Sequence, residues 1–344
     1  MKFLICSLKG RGDAKSVARL SSRDRPGARH TPRNPPAGFH IQPMPQRLIP
    51  LDDLCAPFQI EQQPVRGRLV RLGPALDEIL TRHDYPPPVA NLLGETCALA
   101  ALVGDSLKFD GRLIVQAQGD GPVSYVVADY DTEGALRGYC RYDPERLAAL
   151  PADGFKPLGA QALLGKGVFI MTIDQGADTE RYQGVTPIEG ETLALCAERY
   201  FAQSEQTPTR VRLAVGQHDS GAGPKWRAGG VLLQNIAEDD ARGATAEAWT
   251  EAQFLFETIG EDELVDPTLT PETLLYRLFH EQGVRLFPAK TLRAFCRCNE
   301  ERILTVLKSF GPGERAEMIE PDGRIHVTCE YCSRVYKVEP EAVR

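Results

Sequence analysis

The sequence predicts an α+β fold in which a mixed sheet-and-helix domain is followed by a helical linker and a small carboxy-terminal domain built on a metal site. Three observations predict it. Short β-type runs bounded by turn signals occur between Gly111 and Ile173. Stretches with apolar residues at helical spacing flank them. The last fifty residues hold two close cysteine pairs, Cys296-Arg297-Cys298 and Cys329-Glu330-Tyr331-Cys332, and paired cysteines brought together by an intervening segment are how small domains supply four ligands to zinc.

Residues 1–51 are a basic extension. Residues 1–50 carry ten Lys or Arg against Asp13 and Asp24, without sustained apolar periodicity, and are expected to stay disordered. The extension reads as a solvated tail, or as a start placed too early with Met44 as the true first residue. Its likeness to an organellar presequence is faint.

The domain over 52–236 begins with two helices, Pro74 to His83 and Val89 to Leu107, separated by Pro86-Pro87-Pro88. Strands are expected over Gly111 to Gln118, Val123 to Tyr130, Ala135 to Tyr142 and Gly167 to Ile173. The first three are joined by short turns and imply an antiparallel meander. A helix over Leu193 to Phe201 and strands over Arg210 to Val215 and Gly230 to Ile236 complete the domain. Residues 237–287 read as a loosely anchored helical linker. It is acidic and alanine-rich at first, with amphipathic helices over Trp249 to Ile259 and Pro271 to His280 joined through Glu261-Asp262-Glu263. Residues 288–344 are the four-cysteine domain, whose helix from Asn299 to Ser309 turns Ile303, Leu304 and Leu307 inward.

Charge and composition exclude several functions. The net charge is −7, and with +8 in residues 1–50 the remainder carries −15. So acidic a body is a poor general partner for nucleic acid. A run of eighteen or so apolar residues is not expected, so a soluble protein without membrane contact is. Nine cysteines, five of them scattered as Cys6, Cys55, Cys97, Cys140 and Cys196, suit a reducing compartment, and the five read as small buried hydrophobes or incidental thiols. Gly165-Lys166-Gly167 lacks both the Ser or Thr and the earlier glycine of a phosphate loop, and Val284 stands where a zinc-protease helix needs its second histidine. No nucleophile elbow is present, so an enzyme is not expected. His326, three residues before Cys329, reads as a surface or strand histidine rather than a ligand.

A domain of some fifty residues has little core, so bound zinc is expected to supply much of its folding free energy. Oxidation removes the thiolate charge that the metal requires, and each close pair is its own disulfide partner. In extended chain, residues two apart lie near the upper end of the roughly 4.4–6.8 Å Cα separation that disulfides accept. A Cys296–Cys298 bond would therefore be strained, whereas Cys329 and Cys332 can close in a turn.

The chain resembles the 33 kDa heat-shock proteins, which are redox-regulated, ATP-independent holdase chaperones. The likeness is carried by Arg66-Gly67-Arg68-Leu69-Val70-Arg71-Leu72, Leu107-Lys108-Phe109-Asp110-Gly111, Gln118-Gly119-Asp120-Gly121-Pro122, Tyr182-Gln183-Gly184-Val185 and Tyr200-Phe201-Ala202-Gln203-Ser204-Glu205-Gln206. Ala228-Gly229-Gly230-Val231-Leu232-Leu233-Gln234, Tyr276-Arg277-Leu278-Phe279-His280-Glu281 and the two cysteine pairs extend it. The resemblance implies Zn2+ on Cys296, Cys298, Cys329 and Cys332, and disulfides Cys296–Cys298 and Cys329–Cys332 on oxidation, with zinc release and linker unfolding. It further implies unfolded client proteins as partners, a monomer when reduced, a homodimer when oxidised, and a cytoplasmic location. Phe254, Leu255, Phe256, Leu274, Leu275 and Leu278 of the linker could cover a client-binding surface. The rival readings are a zinc-dependent nucleic-acid-binding module, a thiol-disulfide oxidoreductase using Cys329 and Cys332, and a purely structural zinc domain.

Overall fold

The computed structural model describes residues 52–61, 63–107, 110–151, 158–176, 179–236 and 245–343. The basic extension and linker residues 237–244 therefore lie outside the described residues. The chain divides into a larger unit, whose described part is residues 52–297 with 331–333, and a smaller one of residues 298–330 with 334–343.

The larger unit opens with two strands that the sequence reading omitted, β1 (Leu54–Ile60) and β2 (Val65–Leu72). They precede α1 (Pro74–Thr81) and α2 (Pro87–Gly104). The proline run read as a stop also starts α2: prolines stand at its first positions, where a missing N–H costs nothing. The expected meander follows as β3 (Arg112–Gly119), β4 (Val123–Asp131) and β5 (Ala135–Tyr142), then short α3 (Pro144–Ala148) and α4 (Ala160–Leu164). Next come β6 (Gly167–Asp174), an unforeseen β7 (Tyr182–Pro187), and α5 (Leu193–Tyr200) with a π-turn over Phe201–Glu205. The strands β8 (Thr209–Asp219) and β9 (Pro224–Asn235) each run longer than expected.

The linker forms α6 (Thr245–Phe256), α7 (Glu261–Val265) and α8 (Pro271–Phe279), and β10 (Val284–Leu286), β11 (Lys290–Thr291) and β12 (Arg293–Ala294) end the unit. One sheet has the order β10-β1-β2-β9-β8, with β11 also on β1; the other runs β12-β5-β4-β3-β6-β7. All pairings are antiparallel except that of β12 with β5.

Helix α2 joins the sheets into one core. A Cβ at Gly94 would lie 2.9 Å from Val215 on β8, and one at Gly138 on β5 would lie 2.8 Å from Leu93 and 2.9 Å from the Cys97 sulfur. By length and composition α2 could cross a bilayer, which the sequence reading did not anticipate. It is instead mostly buried inside the protein, as a core helix is. Cys55, Cys97, Cys140 and Cys196 lie in this core. Burial pushes the Cys97 thiol up to about 12 and raises the other three, so these are the buried hydrophobes expected. Cys6 lies outside the described residues.

The linker helices are held by side chains far away in sequence. Phe256, Ile259, Leu264, Leu274, Leu275 and Phe279 are buried, whereas Phe254 is 72% exposed. The acidic join at Glu261 is itself helical, with the Glu263 carboxylate accepting from the Gly260 N–H at 3.1 Å. The buried Arg71 guanidinium donates to the carbonyls of Asp266 and Leu269, between α7 and α8. Arg227 donates to the Val265 carbonyl at 2.8 Å and to Asp52.

A cavity of about 960 Å³ lies between α2, α5, β8 and the linker helices, lined among others by Asn91, Glu95, Glu198, Arg210, Phe256 and Glu261. Arg210 pairs with Glu198 and Glu257, and Arg212 with Glu257. Burial, and then the charge of Glu261, push the Glu95 carboxyl up to about 7. Between the ordinary glutamate value and about 7, the folded chain keeps a proton that the unfolded chain has released, so this residue lowers stability as pH rises through that window. The ceiling of the effect is about 3 kcal/mol, and solvent in the cavity reduces it. Urea unfolding of Glu95→Gln between pH 5 and 8 is expected to show a flatter pH dependence than the parent; parallel curves would refute the assignment.

The smaller unit contains α9 (Glu300–Lys308), α10 (Pro312–Glu317), and the hairpin β13 (Ile325–Thr328) and β14 (Val335–Val338). The Asn299 side chain caps α9 by accepting from the Arg302 N–H at 2.9 Å. Its core is six side chains, Ile303, Leu307, Ile325, Val327, Val338 and Val343, with Leu304 partly buried against them. The inward face of the expected helix is thus the observed one.

Candidate metal centre

The first cysteine pair is delivered by strand pairing. β12 adds in parallel to the start of β5, with Arg293 matched to Ala135 and Ala294 to Leu136. The Arg293 and Phe295 amides donate to the Gly134 and Leu136 carbonyls, each at 2.9 Å. The chain thus reaches Cys296 with its backbone fixed, and passes through Arg297 and Cys298 before the Asn299 cap.

The second pair occupies the turn of the β13–β14 hairpin. The Cys329 amide donates to the Arg334 carbonyl at 2.9 Å and closes the turn. Ser333 supplies the left-handed residue that the reversal requires, with φ of 55°. The sulfurs of Cys296, Cys298, Cys329 and Cys332 all lie within 4.8 Å of one another. Cys329 is buried and the other three are partly so, and no disulfide links the eight described cysteines.

This donor set fits a soft or borderline cation. Tetrahedral zinc at about 2.3 Å from each sulfur sets the sulfurs roughly 3.8 Å apart, which the cluster accommodates. With a cation bound, four thiolates would carry excess negative charge, and the surroundings supply donors to offset it. Tyr336 donates its hydroxyl to the Cys298 sulfur at 3.1 Å, and an Arg137 guanidinium nitrogen lies 4.0 Å from the Cys296 sulfur. His326 stands apart on β13 with its Nε2 2.9 Å from Asp322, a strand histidine as expected.

Cysteine spacing locates all four sulfurs but not the residues around them. Asp129, Asp131 and Arg137 come from β4 and β5, more than 150 residues before the first pair. The one local sign is a charged residue between Cys296 and Cys298. Outer-shell partners of this kind typically change metal affinity by about 10–100-fold. In Tyr336→Phe, chelator-driven loss of metal from reduced protein is expected to quicken by about tenfold, and an unchanged rate would refute a role for the hydroxyl.

Known proteins resemble the chain over most of its length. A family model described as Hsp33 protein matches residues 53–339. A 33 kDa chaperonin of Caulobacter vibrioides is 72% identical over 290 residues, covering 84% of this chain and 96% of the relative. A 33 kDa chaperonin of Azotobacter vinelandii is 37% identical over 290 residues, covering 83% and 92%. The crystal structure of the Thermotoga maritima 33 kDa chaperonin superposes with a TM-score of 0.71 at 24% identity, covering 85% of this chain and 96% of that one. The last likeness is one of fold.

Proposed function

The chain belongs to the Hsp33 family, and from that membership we propose that it is a redox-regulated, nucleotide-independent holdase chaperone. In this reading Cys296, Cys298, Cys329 and Cys332 bind Zn2+ while reduced. The bound ion would hold two chain segments, about thirty residues apart, at one point, which a small core could not do alone. Unfolding clients are the partners, and no catalytic group is required.

The observation that carries the reading is the gathering of two close cysteine pairs within 4.8 Å, each pair able to form its own disulfide. Closing Cys296–Cys298 and Cys329–Cys332 withdraws two electrons per pair. With hydrogen peroxide as oxidant, each pair reduces one peroxide, which takes up two protons to give two waters. Four thiolates are thereby lost as metal donors. The carboxy-terminal unit and the linker then unfold, and apolar side chains such as Phe256, Leu274, Leu275 and Leu278 become available to clients.

The test is to expose purified reduced protein to peroxide or hypochlorite and follow zinc release, thiol content and suppression of a test protein's aggregation together. Concerted change in all three is expected. Suppression without thiol loss, or thiol loss without suppression, would overturn the reading. Turnover of disulfide substrates without lasting unfolding would favour an oxidoreductase using Cys329 and Cys332.

A further inference from the structure

Both cysteine segments are gripped by one buried carboxylate. Asp129 on β4 faces Arg137 on β5 in the strand register, and Arg137 donates to its Oδ2 through Nε at 3.0 Å and Nη2 at 2.7 Å. Arg297, the residue between the first two cysteines, reaches the other oxygen of Asp129 and pairs with Asp131 at 3.2 Å. The Asp129 side chain is only 3% exposed. Burial alone would raise its pKa, but Arg137 and Arg297 more than reverse this and hold it below the usual carboxylate range.

The second segment meets the same group through Arg137. Its guanidinium lies 4.1 Å from the centre of the Tyr331 ring, a cation–π distance, and the Tyr139 ring packs against Tyr331 with centroids 6.3 Å apart. Beside Cys332, Ser333 donates to the Arg82 carbonyl at 2.9 Å and lies 3.2 Å from His83 Nδ1.

We propose that Asp129 and Arg137 form a latch on the β4–β5 hairpin, that Arg297 and Tyr331 are the side chains it holds, and that the latch governs how readily the cysteine site opens. This deepens the chaperone reading and rests on it for its regulatory meaning, while the latch itself is a property of the reduced chain. The charge arrangement suits release. When Arg297 leaves, Asp129 keeps Arg137, so no buried charge is stranded, and stranding is what makes breaking a buried pair costly. Asp131, 18% exposed, passes to water.

The two halves of the latch can be separated by mutation. Arg297→Gln should loosen only the first segment, whereas Asp129→Asn should loosen both, because it also frees Arg137 to leave Tyr331. Amide exchange in the reduced full chain is expected to quicken at least fivefold over residues 295–297 in both variants, and over 331–333 in Asp129→Asn alone. Exchange across β3 should stay unchanged. Release of zinc to a chelator from the reduced, loaded protein should quicken by a similar factor in both. Unchanged exchange at 295–297 in Arg297→Gln overturns the latch, as does acceleration in Asp129→Asn spread evenly over β3 and β4, which is general destabilisation. Failure of the chaperone reading would appear separately, as oxidised parent protein that does not suppress aggregation.

Discussion

Stripping metal from the reduced protein is expected to unfold the carboxy-terminal unit while both larger sheets remain protected. The unit has a core of six buried apolar side chains, and the one sheet among its described residues is a hairpin of two four-residue strands. Such a hairpin is marginal in water without further support. Structural zinc contributes about 10–16 kcal/mol in small peptides, as much as the roughly 5–15 kcal/mol net stability of an ordinary domain. Its loss should therefore exceed what the hairpin and α9 can withstand. Hydrogen exchange in reducing buffer, with and without chelator, should show protection lost over Ile325–Val338 and Glu300–Lys308 and kept over Arg112–Asp131. Cys329→Ser should reproduce this, since it removes a thiolate at a position 1% exposed. Hairpin protection retained in protein shown to be metal-free would rule out the metal as the organiser of this unit.

Which features could be read from the chain depended on how far apart their partners lie. The meander β3–β5 was legible because Gly119-Asp120-Gly121-Pro122 and the short connection after Tyr130 put turn chemistry beside alternating apolar residues. The strands β1 and β2 were not, because Pro57 interrupts one and arginines punctuate the other. They pair with each other, but their outer neighbours β10 and β9 lie well over a hundred residues away. Arg71 looks like a solvated residue until the Asp266 and Leu269 carbonyls are seen to receive it. At the cysteine site the same divide holds. Spacing singled out the four sulfurs that the structure gathers, because two close pairs are visible in short-range sequence. Asp129 and Arg137 carry no local mark, since it is the parallel pairing of β12 with β5 that brings Arg297 to them.

Phe279→Ala should open the linker in reduced protein. The ring is fully buried at the end of α8 and packs on Phe58 of β1, with centroids 6.0 Å apart. Removing a buried phenylalanine costs about 3–5 kcal/mol, which raises the population of any state with α8 undocked by about 10²–10⁴-fold. The Arg71 bonds to the turn before α8 remain, so the opening should concentrate in Pro271–Phe279 rather than spread through the sheet. Exchange protection over these residues and cleavage by a protease of broad specificity should both report it, with β2 and β9 unaffected. If linker opening is what exposes client-binding surface, this variant should suppress aggregation without oxidant and with its metal still bound. A reduced variant with demonstrably open α8 and no holding activity would show that the surface lies elsewhere. Activity appearing only after the thiols are oxidised would show that opening the linker is not sufficient.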